Sequence, residues 1–228
     1  MDKQQLRQLA YAARNAQPDK DAASAEICRR FVSQRGYQQA ETVLWYLHCR
    51  SEVRTLPALQ QQLAANKRIA VPYCTVNDIG QRCLGLWHLQ AIDELQPGMW
   101  NILEPPPERW PEPEKLISPQ ELDLIMVPGV AFDSQGGRLG NGAGYYDRLL
   151  SQVRPDTLLT GACYQSQLLP NIPMESHDVY MDVVITEQAI YSGTRGRKNK
   201  KVGWVKSSET QQNQNAELQS IASCRREQ

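Results

Sequence analysis

The sequence predicts a single α/β domain, in which helices flank a mainly parallel central sheet, followed by a disordered basic tail. The first observation is composition: of 228 residues, 41% are hydrophobic and 22% are charged, as in globular proteins. The second is that short apolar runs typical of buried strands alternate with segments of helical periodicity. The third is a change to polar, basic sequence after Ser192. We therefore place the domain at residues 1–192 and the tail at residues 193–228.

Helices are predicted where apolar residues recur every three or four positions. Residues 3–16, 22–34 and 57–66 have this spacing, and Gly36 ends the second helix. Strands are predicted at the apolar runs between the helices, at residues 42–47, 68–72, 84–89, 124–127, 158–163 and 183–186. The proline-dense segment 104–119 is predicted to be a rigid surface loop, because proline is excluded from regular structure.

Charge and composition exclude several classes of function. The 25 basic and 25 acidic residues give a formal net charge of zero, so attraction of the whole protein to nucleic acid or a membrane is not expected. No stretch approaches the roughly 18 apolar residues that a membrane span needs, and the polar N-terminus is unlike a signal peptide. We expect a cytoplasmic monomer. Six cysteines without a CxxC pair favour reduced thiols over a zinc or disulfide role.

The predicted tail is basic, whereas the predicted domain before it carries an equal excess of acidic residues. Residues 193–228 hold eight basic and three acidic residues. The run at residues 195–201 could bind RNA or another polyanion, but a solvated tail is the preferred interpretation.

The segment 126–148 carries the strongest signal of chemistry. An apolar strand leads to a turn at residues 136–137, to glycines at every second position of residues 140–144, and to a predicted helix from Tyr145 through Leu150. Such a loop exposes backbone N–H groups that suit an anion such as phosphate, and Arg138 supplies a positive charge. The spacing matches neither the dinucleotide-binding fingerprint nor a P-loop, and a plain turn remains the alternative.

A second cationic element lies on the first predicted helix. Lys3, Arg7 and Arg14 share one stripe beside its apolar face. The stripe is either a solvated flank or a surface that faces a polyphosphate. Together with the glycine-rich loop, the second interpretation suggests a nucleoside triphosphate.

Several motifs together resemble the 5-formyltetrahydrofolate cyclo-ligase family, also called methenyltetrahydrofolate synthetase. The most specific is the segment Arg138-Leu139-Gly140-x-Gly142-x-Gly144-Tyr145-Tyr146-Asp147, preceded by Pro128-Gly129-x-Ala131-Phe132-Asp133. The shorter matches are Lys3-x-x-Leu6-Arg7, Leu47, Ser51-Glu52-Val53, Val71-Pro72, Trp100-Asn101-Ile102, Glu104-Pro105, His177-Asp178 and Asp182. The resemblance covers about residues 3 to 187. The sequence departs from the family at Asn141 and Ala143, where relatives often carry Tyr, Arg, Gly or Lys.

The resemblance implies an ATP- and magnesium-dependent closure of 5-formyltetrahydrofolate to 5,10-methenyltetrahydrofolate, with release of ADP and phosphate. Phosphorylation of the formyl oxygen would create a good leaving group, which N10 of the folate then displaces. Because phosphoryl transfer asks mainly for positioning and charge neutralisation, no nucleophilic side chain is required.

The resemblance also implies which residues form the site. The catalytic residues would be Arg138, Tyr145 and Asp147. ATP would be bound by Lys3, Gln4, Gln5, Leu6, Arg7, Arg138, Leu139, Gly140, Asn141, Gly142, Ala143, Gly144, Tyr145 and Tyr146. The folate would contact Leu47, Glu52 and Trp100, and magnesium would bind to Asp147 and Asp182.

Simpler interpretations remain open for the same residues. Asp147 would be a helix first-turn acid, Asp182 a surface charge at a strand end, and Trp100 a core aromatic. At the level of the whole protein, the alternative is a non-catalytic nucleotide-binding or polyanion-binding protein on the same scaffold.

Overall fold

The computed structural model describes residues 1–65, 67–176 and 178–195. The helices are α1 (Lys3–Ala16), α2 (Lys20–Ser33), α3 (Arg35–Gln39), α4 (Leu56–Gln62) and α5 (Tyr145–Leu150). The strands are β1 (Thr42–Leu44), β2 (Arg68–Val76), β3 (Arg82–Leu89), β4 (Gln96–Pro97), β5 (Leu103–Glu104), β6 (Leu124–Val127), β7 (Ala131–Asp133), β8 (Arg138–Leu139), β9 (Leu158–Ala162), β10 (Leu168–Leu169), β11 (Val183–Ile185) and β12 (Ile190–Ser192).

A seven-stranded sheet forms the centre of the molecule, in the order β12-β11-β9-β6-β1-β2-β3. Its five inner strands are parallel, and the edge strands β12 and β3 run antiparallel to their neighbours. The predicted mainly parallel α/β fold is therefore confirmed. Two smaller sheets, β10-β7-β8 and β4-β5, lie outside this sheet.

Apolar side chains cover both faces of the central sheet, which explains why its strands are continuous apolar runs. Successive residues of a strand point to opposite faces. Val43 accordingly joins the core beneath α2, where Phe31 packs edge-to-face on Trp45 at a centroid distance of 5.0 Å. The next residue, Leu44, joins the core beneath α5 with Leu149.

The helix α1 packs on the small sheet that contains β7 and β8. Its residues Leu6 and Ala10 are buried against Val130, Ala131 and Leu139. Asp2 and Gln5 form a capping box that starts the helix. This packing brings the cationic stripe of α1 beside the segment that follows β8.

Some predicted boundaries are wrong. The strand predicted to end at residue 72 continues to Val76 and forms an antiparallel hairpin with β3, and Gly36 lies inside α3. The proline-dense segment is only partly a surface loop: its Ile117 is buried and donates its N–H to the carbonyl oxygen of Leu86. Sequence patterns miss this pairing because the partners come from distant parts of the chain.

Two further expectations concern the chain ends and the membrane. The first residues assigned to the tail contact the domain, since Gly193 donates its N–H to the carbonyl oxygen of Asp182 and Thr194 donates to Gln135. The rest of the tail, residues 196–228, lies outside the described residues, so the boundary at 192 stays a prediction. Within the described ranges, no helix is long and apolar enough to cross a membrane.

Candidate active site

A cavity of about 530 Å³ opens where the inner strands end. Its wall includes Tyr46 and Leu47, which follow β1, Tyr73 of β2, and residues 128–130, which follow β6. The chain runs outward from β1 to β2 and returns to β6 on the opposite side of β1. Ligands of open α/β sheets collect at such a point, where the strand order reverses.

The glycine-rich loop, residues 140–144, forms one wall of this cavity. Gly142 and Gly144 have φ angles of +93° and +72°, in the left-handed region that favours glycine. Gly144 is also the N-cap of α5. A side chain at Gly144 would strain the backbone, and its Cβ would lie 2.7 Å from a guanidinium nitrogen of Arg148.

Two carbonyl groups of this loop accept hydrogen bonds from arginine side chains. Arg7 Nε donates to the carbonyl oxygen of Gly140 at 2.8 Å, and Arg148 Nη2 donates to that of Ala143 at 2.9 Å. Tyr11 donates to the side-chain oxygen of Asn141, one of the two positions at which the sequence departs from relatives. Within the described residues, no N–H of the loop has a hydrogen-bond acceptor. These donors suit an anion.

Arg138 and Asp147 form an ion pair at the cavity wall. The Arg138 side chain is 6% exposed and the Asp147 side chain is 33% exposed. Arg138 also donates to the carbonyl oxygen of Pro128 at 3.4 Å, and its guanidinium lies 6.0 Å from the ring centre of Tyr146. Asp147 is therefore a partner of a buried cation, beyond any role as a first-turn acid of α5.

Asp182 does not line the cavity. It accepts hydrogen bonds from the Leu159 N–H and from Arg195, both at 2.7 to 2.8 Å. Burial raises the pKa of its carboxyl group. The surface-charge interpretation is wrong, because the side chain is 8% exposed. Asp182 as a magnesium ligand stays a prediction, and in this structure the residue joins β9 to the segment that follows β12.

The predicted ATP-binding residues at the start of α1, residues 3–7, lie in different environments. Lys3 pairs with Glu175 at 2.8 Å and Asp178 at 2.9 Å, and the hydrogen bond to Glu175 contributes most to its raised pKa. Gln4 is exposed, and Gln5 caps the helix. Leu6 is buried in the core below β8, as is Leu139 of the glycine motif. Of the first five predicted ATP contacts, Arg7 is the one that hydrogen bonds to the loop.

Arg14 is buried rather than solvated, so the flank interpretation of the stripe is wrong for this residue. Its side chain is 6% exposed and lines the cavity, with Nη1 3.6 Å from Oε1 of Glu52. Glu52 sits in a tight turn in which its Oε2 accepts the Cys49 N–H at 2.9 Å. Burial is the largest cause of the raised pKa of Glu52.

The remaining predicted folate residues also line the cavity. Leu47 is 6% exposed, whereas Trp100 is 55% exposed, so the core-aromatic interpretation of Trp100 is wrong. Trp100 has a φ of +56° and its ring meets that of Tyr145 edge-to-face, at a centroid distance of 6.4 Å. Burial raises the pKa of Tyr145, and it raises that of Tyr146 further.

Sequence reasoning did not assign several cavity residues to the site. Glu104 is 7% exposed, lines the cavity and accepts the Cys74 N–H at 3.3 Å. Beside it, Tyr73 stacks on Trp110 at 4.6 Å. Glu104 and Pro72 belong to the matched motifs, so the resemblance was the signal that could have found them. Arg14 lay outside every motif.

Comparisons with known proteins find a matching family, related sequences and a related structure. A model of the 5-formyltetrahydrofolate cyclo-ligase family matches residues 1–187. A probable 5-formyltetrahydrofolate cyclo-ligase of Schizosaccharomyces pombe is 29% identical over 206 residues, which cover 83% of this chain and 97% of that protein. The 5-formyltetrahydrofolate cyclo-ligase of Mycolicibacterium smegmatis is 31% identical over 186 residues, covering 81% of this chain and 93% of the relative.

A solved structure is also similar. The NMR structure of Aquifex aeolicus 5,10-methenyltetrahydrofolate synthetase matches with a TM-score of 0.70 and 27% identity, over 91% of this chain and 98% of that one. The family model spans both the glycine-rich loop and the predicted folate wall. This chain therefore belongs to the 5-formyltetrahydrofolate cyclo-ligase family.

Proposed function

We propose that this protein closes 5-formyltetrahydrofolate to 5,10-methenyltetrahydrofolate and converts ATP to ADP and phosphate in the same reaction. One observation carries the proposal. The glycine-rich loop and the residues Leu47, Glu52 and Trp100, which come from distant parts of the chain, line one cavity. A phosphate donor on the loop and a folate on these residues would therefore share the cavity that Arg138 also lines.

The loop fits the phosphates of ATP. Its N–H groups have no acceptor within the described residues, and its carbonyl groups are held by Arg7 and Arg148. The Arg7 guanidinium lies beside Gly142, because a Cβ at Gly142 would be 3.5 Å from one of its nitrogens. Backbone donors with a flanking cation are the usual means of binding phosphate.

The residues also fit a magnesium ion that is bound together with phosphates. Asp147 offers carboxylate oxygens at the cavity wall, and magnesium commonly takes one or two carboxylates, with phosphate and water as its other ligands. No group of three or more His, Cys, Asp or Glu side chains forms a metal site in the described part of the chain. When bound, the ion would neutralise charge on the transferring phosphoryl group.

The chemistry needs a better leaving group than a formyl oxygen. The γ-phosphoryl group moves from ATP to the formyl oxygen, and the bond from that phosphorus to the β-bridging oxygen breaks. N10 of the folate then attacks the formyl carbon, the carbon–oxygen bond breaks, and inorganic phosphate leaves with the original formyl oxygen. N10 loses its proton as the methenyl bridge forms.

This chain's residues position and neutralise these groups. Arg138, buried and paired with Asp147, supplies positive charge at the phosphoryl group. Glu52 accepts a hydrogen bond from the pterin, and Trp100 offers a flat apolar surface at the cavity wall. Tyr145 links the predicted ATP-binding and folate-binding residues, because its backbone belongs to the glycine motif and its ring contacts Trp100.

A spectrophotometric assay of the purified protein with 5-formyltetrahydrofolate, ATP and magnesium tests the proposal. We expect the methenyl product to accumulate with one ADP per folate, and to be absent when ATP is left out. Product formation without ATP, or ATP hydrolysis without product, would contradict the proposed function.

A further inference from the structure

Arg14 is a buried cation whose hydrogen-bonding capacity is only partly used. Its Nε donates to the hydroxyl oxygen of Ser51 at 3.1 Å, and its guanidinium lies 5.0 Å from the ring centre of Tyr11. Its Nη1 is buried and has no hydrogen-bond acceptor within the described residues. A buried donor without an acceptor is costly, because it has lost water without gaining a partner. The cavity that Arg14 lines is where a ligand could supply that acceptor.

Glu52 presents the complementary group beside it. Its Oε2 is occupied by the Cys49 N–H, whereas Oε1 faces Arg14 at 3.6 Å. That distance is an ion-pair separation, too long for a hydrogen bond. The cavity wall therefore carries an arginine and a carboxylate side by side, and neither has used all of its hydrogen-bonding capacity.

The chemistry of the ligand follows from this arrangement. A neighbouring donor and acceptor match a cis amide, which presents its N–H and C=O on one edge. The pteridine ring of a reduced folate has such an edge, formed by N3–H and the C4 carbonyl. The amide of its p-aminobenzoyl-glutamate arm is trans, so its N–H and C=O point in opposite directions.

We propose that Arg14 is a substrate-binding residue, whose guanidinium donates to the C4 carbonyl oxygen of the pteridine while Glu52 accepts N3–H through Oε1. Ser51 positions the guanidinium, since it accepts from Arg14 and in turn donates to Asn15 at 2.7 Å. The inference rests on the proposed function, because it assigns the folate to this wall. The inference makes the Arg14–Glu52 pair responsible for the preference of the protein for 4-oxo over 4-amino pteridines.

The test compares two ligands by isothermal titration. One is 5-formyltetrahydrofolate, and the other is its 4-amino-4-deoxy analogue, which replaces the carbonyl acceptor with a donor and lacks N3–H. We expect the wild-type protein to prefer the 4-oxo ligand by about tenfold to a hundredfold. In Arg14→Gln, affinity for the 4-oxo ligand falls by a similar factor, affinity for the analogue changes little, and ATP affinity is unchanged.

Controls separate this role from a structural one. Arg29→Gln removes an arginine whose side chain is 65% exposed, and it leaves both affinities as they are. An equal loss for both ligands in folded Arg14→Gln, a loss of ATP affinity instead, or a wild-type protein without preference would overturn the inference. If Arg14→Gln does not fold, Arg14→Lys is measured instead. The lysine keeps the charge but displaces the donor, so the preference for the 4-oxo ligand must fall. An unchanged preference refutes the role of Arg14.

The two proposals fail in different ways. A wild-type protein that neither binds nor closes 5-formyltetrahydrofolate refutes the proposed function. A wild-type protein that does both, while Arg14 variants keep the 4-oxo preference, refutes the role of Arg14 alone.

Discussion

Replacing Asp147 by Asn separates the structural contribution of this carboxylate from its chemical one. The substitution keeps the size of the side chain and removes its charge. Arg138, which is 6% exposed, then loses its ion pair and keeps the 3.4 Å contact to Pro128. Because Asp147 itself is one-third exposed, solvent replaces part of the lost interaction, and we expect a loss of about 1–3 kcal/mol in folding stability.

Asp147→Asn should lower turnover by more than its loss of folding stability can explain. A loss of stability lowers the melting temperature by about 2–4 °C per kcal/mol in a domain of this size, which leaves the protein folded at 25 °C. If Asp147 holds magnesium at the phosphates, turnover falls by a factor of order 10² or more, since the metal stabilises several kcal/mol of developing charge.

Asp123 provides a matched control. Its side chain is 32% exposed and pairs with Arg154 at 2.7 Å, and it lies outside the cavity lining. Asp123→Asn should lower the melting temperature at least as much, because Asp123 also accepts the N–H groups of Glu41 and Thr42, without changing turnover or the magnesium concentration for half-maximal rate. Calorimetry and the methenyl assay measure both quantities. A folded Asp147→Asn protein with wild-type rate and magnesium dependence would refute the role of Asp147.

Four further substitutions test the predicted ATP-binding and folate-binding residues. Arg7→Ala should weaken ATP binding by about 1.5–3 kcal/mol. Lys3→Ala should weaken ATP binding by about 1 kcal/mol or less, because Lys3 is paired with two acidic side chains. Equal losses of ATP affinity, measured by titration, would contradict this order. Glu52→Gln should reduce folate affinity by about 1–3 kcal/mol with little change in ATP affinity, and an intact folate affinity would remove Glu52 from the site. Trp100→Ala should raise the folate KM by the equivalent of about 0.5–1.5 kcal/mol without lowering the melting temperature, because the ring is exposed; a lower melting temperature with unchanged KM would instead give Trp100 a structural role.

Local signals predicted the parts of the fold that depend on neighbouring residues. The helix predicted from residue 145 to 150 is α5 without a change of boundary, because Gly144 in the left-handed region marks its start. The apolar runs became the strands of the central sheet because burial on both faces requires such runs. The glycine motif forms a turn with positive φ angles at Gly142 and Gly144, which is the local geometry that glycine favours.

Contacts between distant residues could not be predicted in the same way. The stripe of Lys3, Arg7 and Arg14 looks uniform along α1, yet each cation meets a different partner in the fold. Lys3 meets residues more than 170 positions away, and Arg14 is buried because the turn containing Glu52 folds over it. Nothing local in the sequence distinguishes a solvated arginine from one covered by a distant turn.

The path of one oxygen atom tests most directly whether the cavity joins both substrates in a single reaction. When the formyl oxygen of 5-formyltetrahydrofolate is labelled with oxygen-18, the proposed chemistry transfers that oxygen to the γ-phosphorus. Mass spectrometry of the released phosphate should then find one labelled oxygen for each methenyl product formed. Unlabelled phosphate, with the label released to water, would contradict phosphorylation of the formyl oxygen in this cavity.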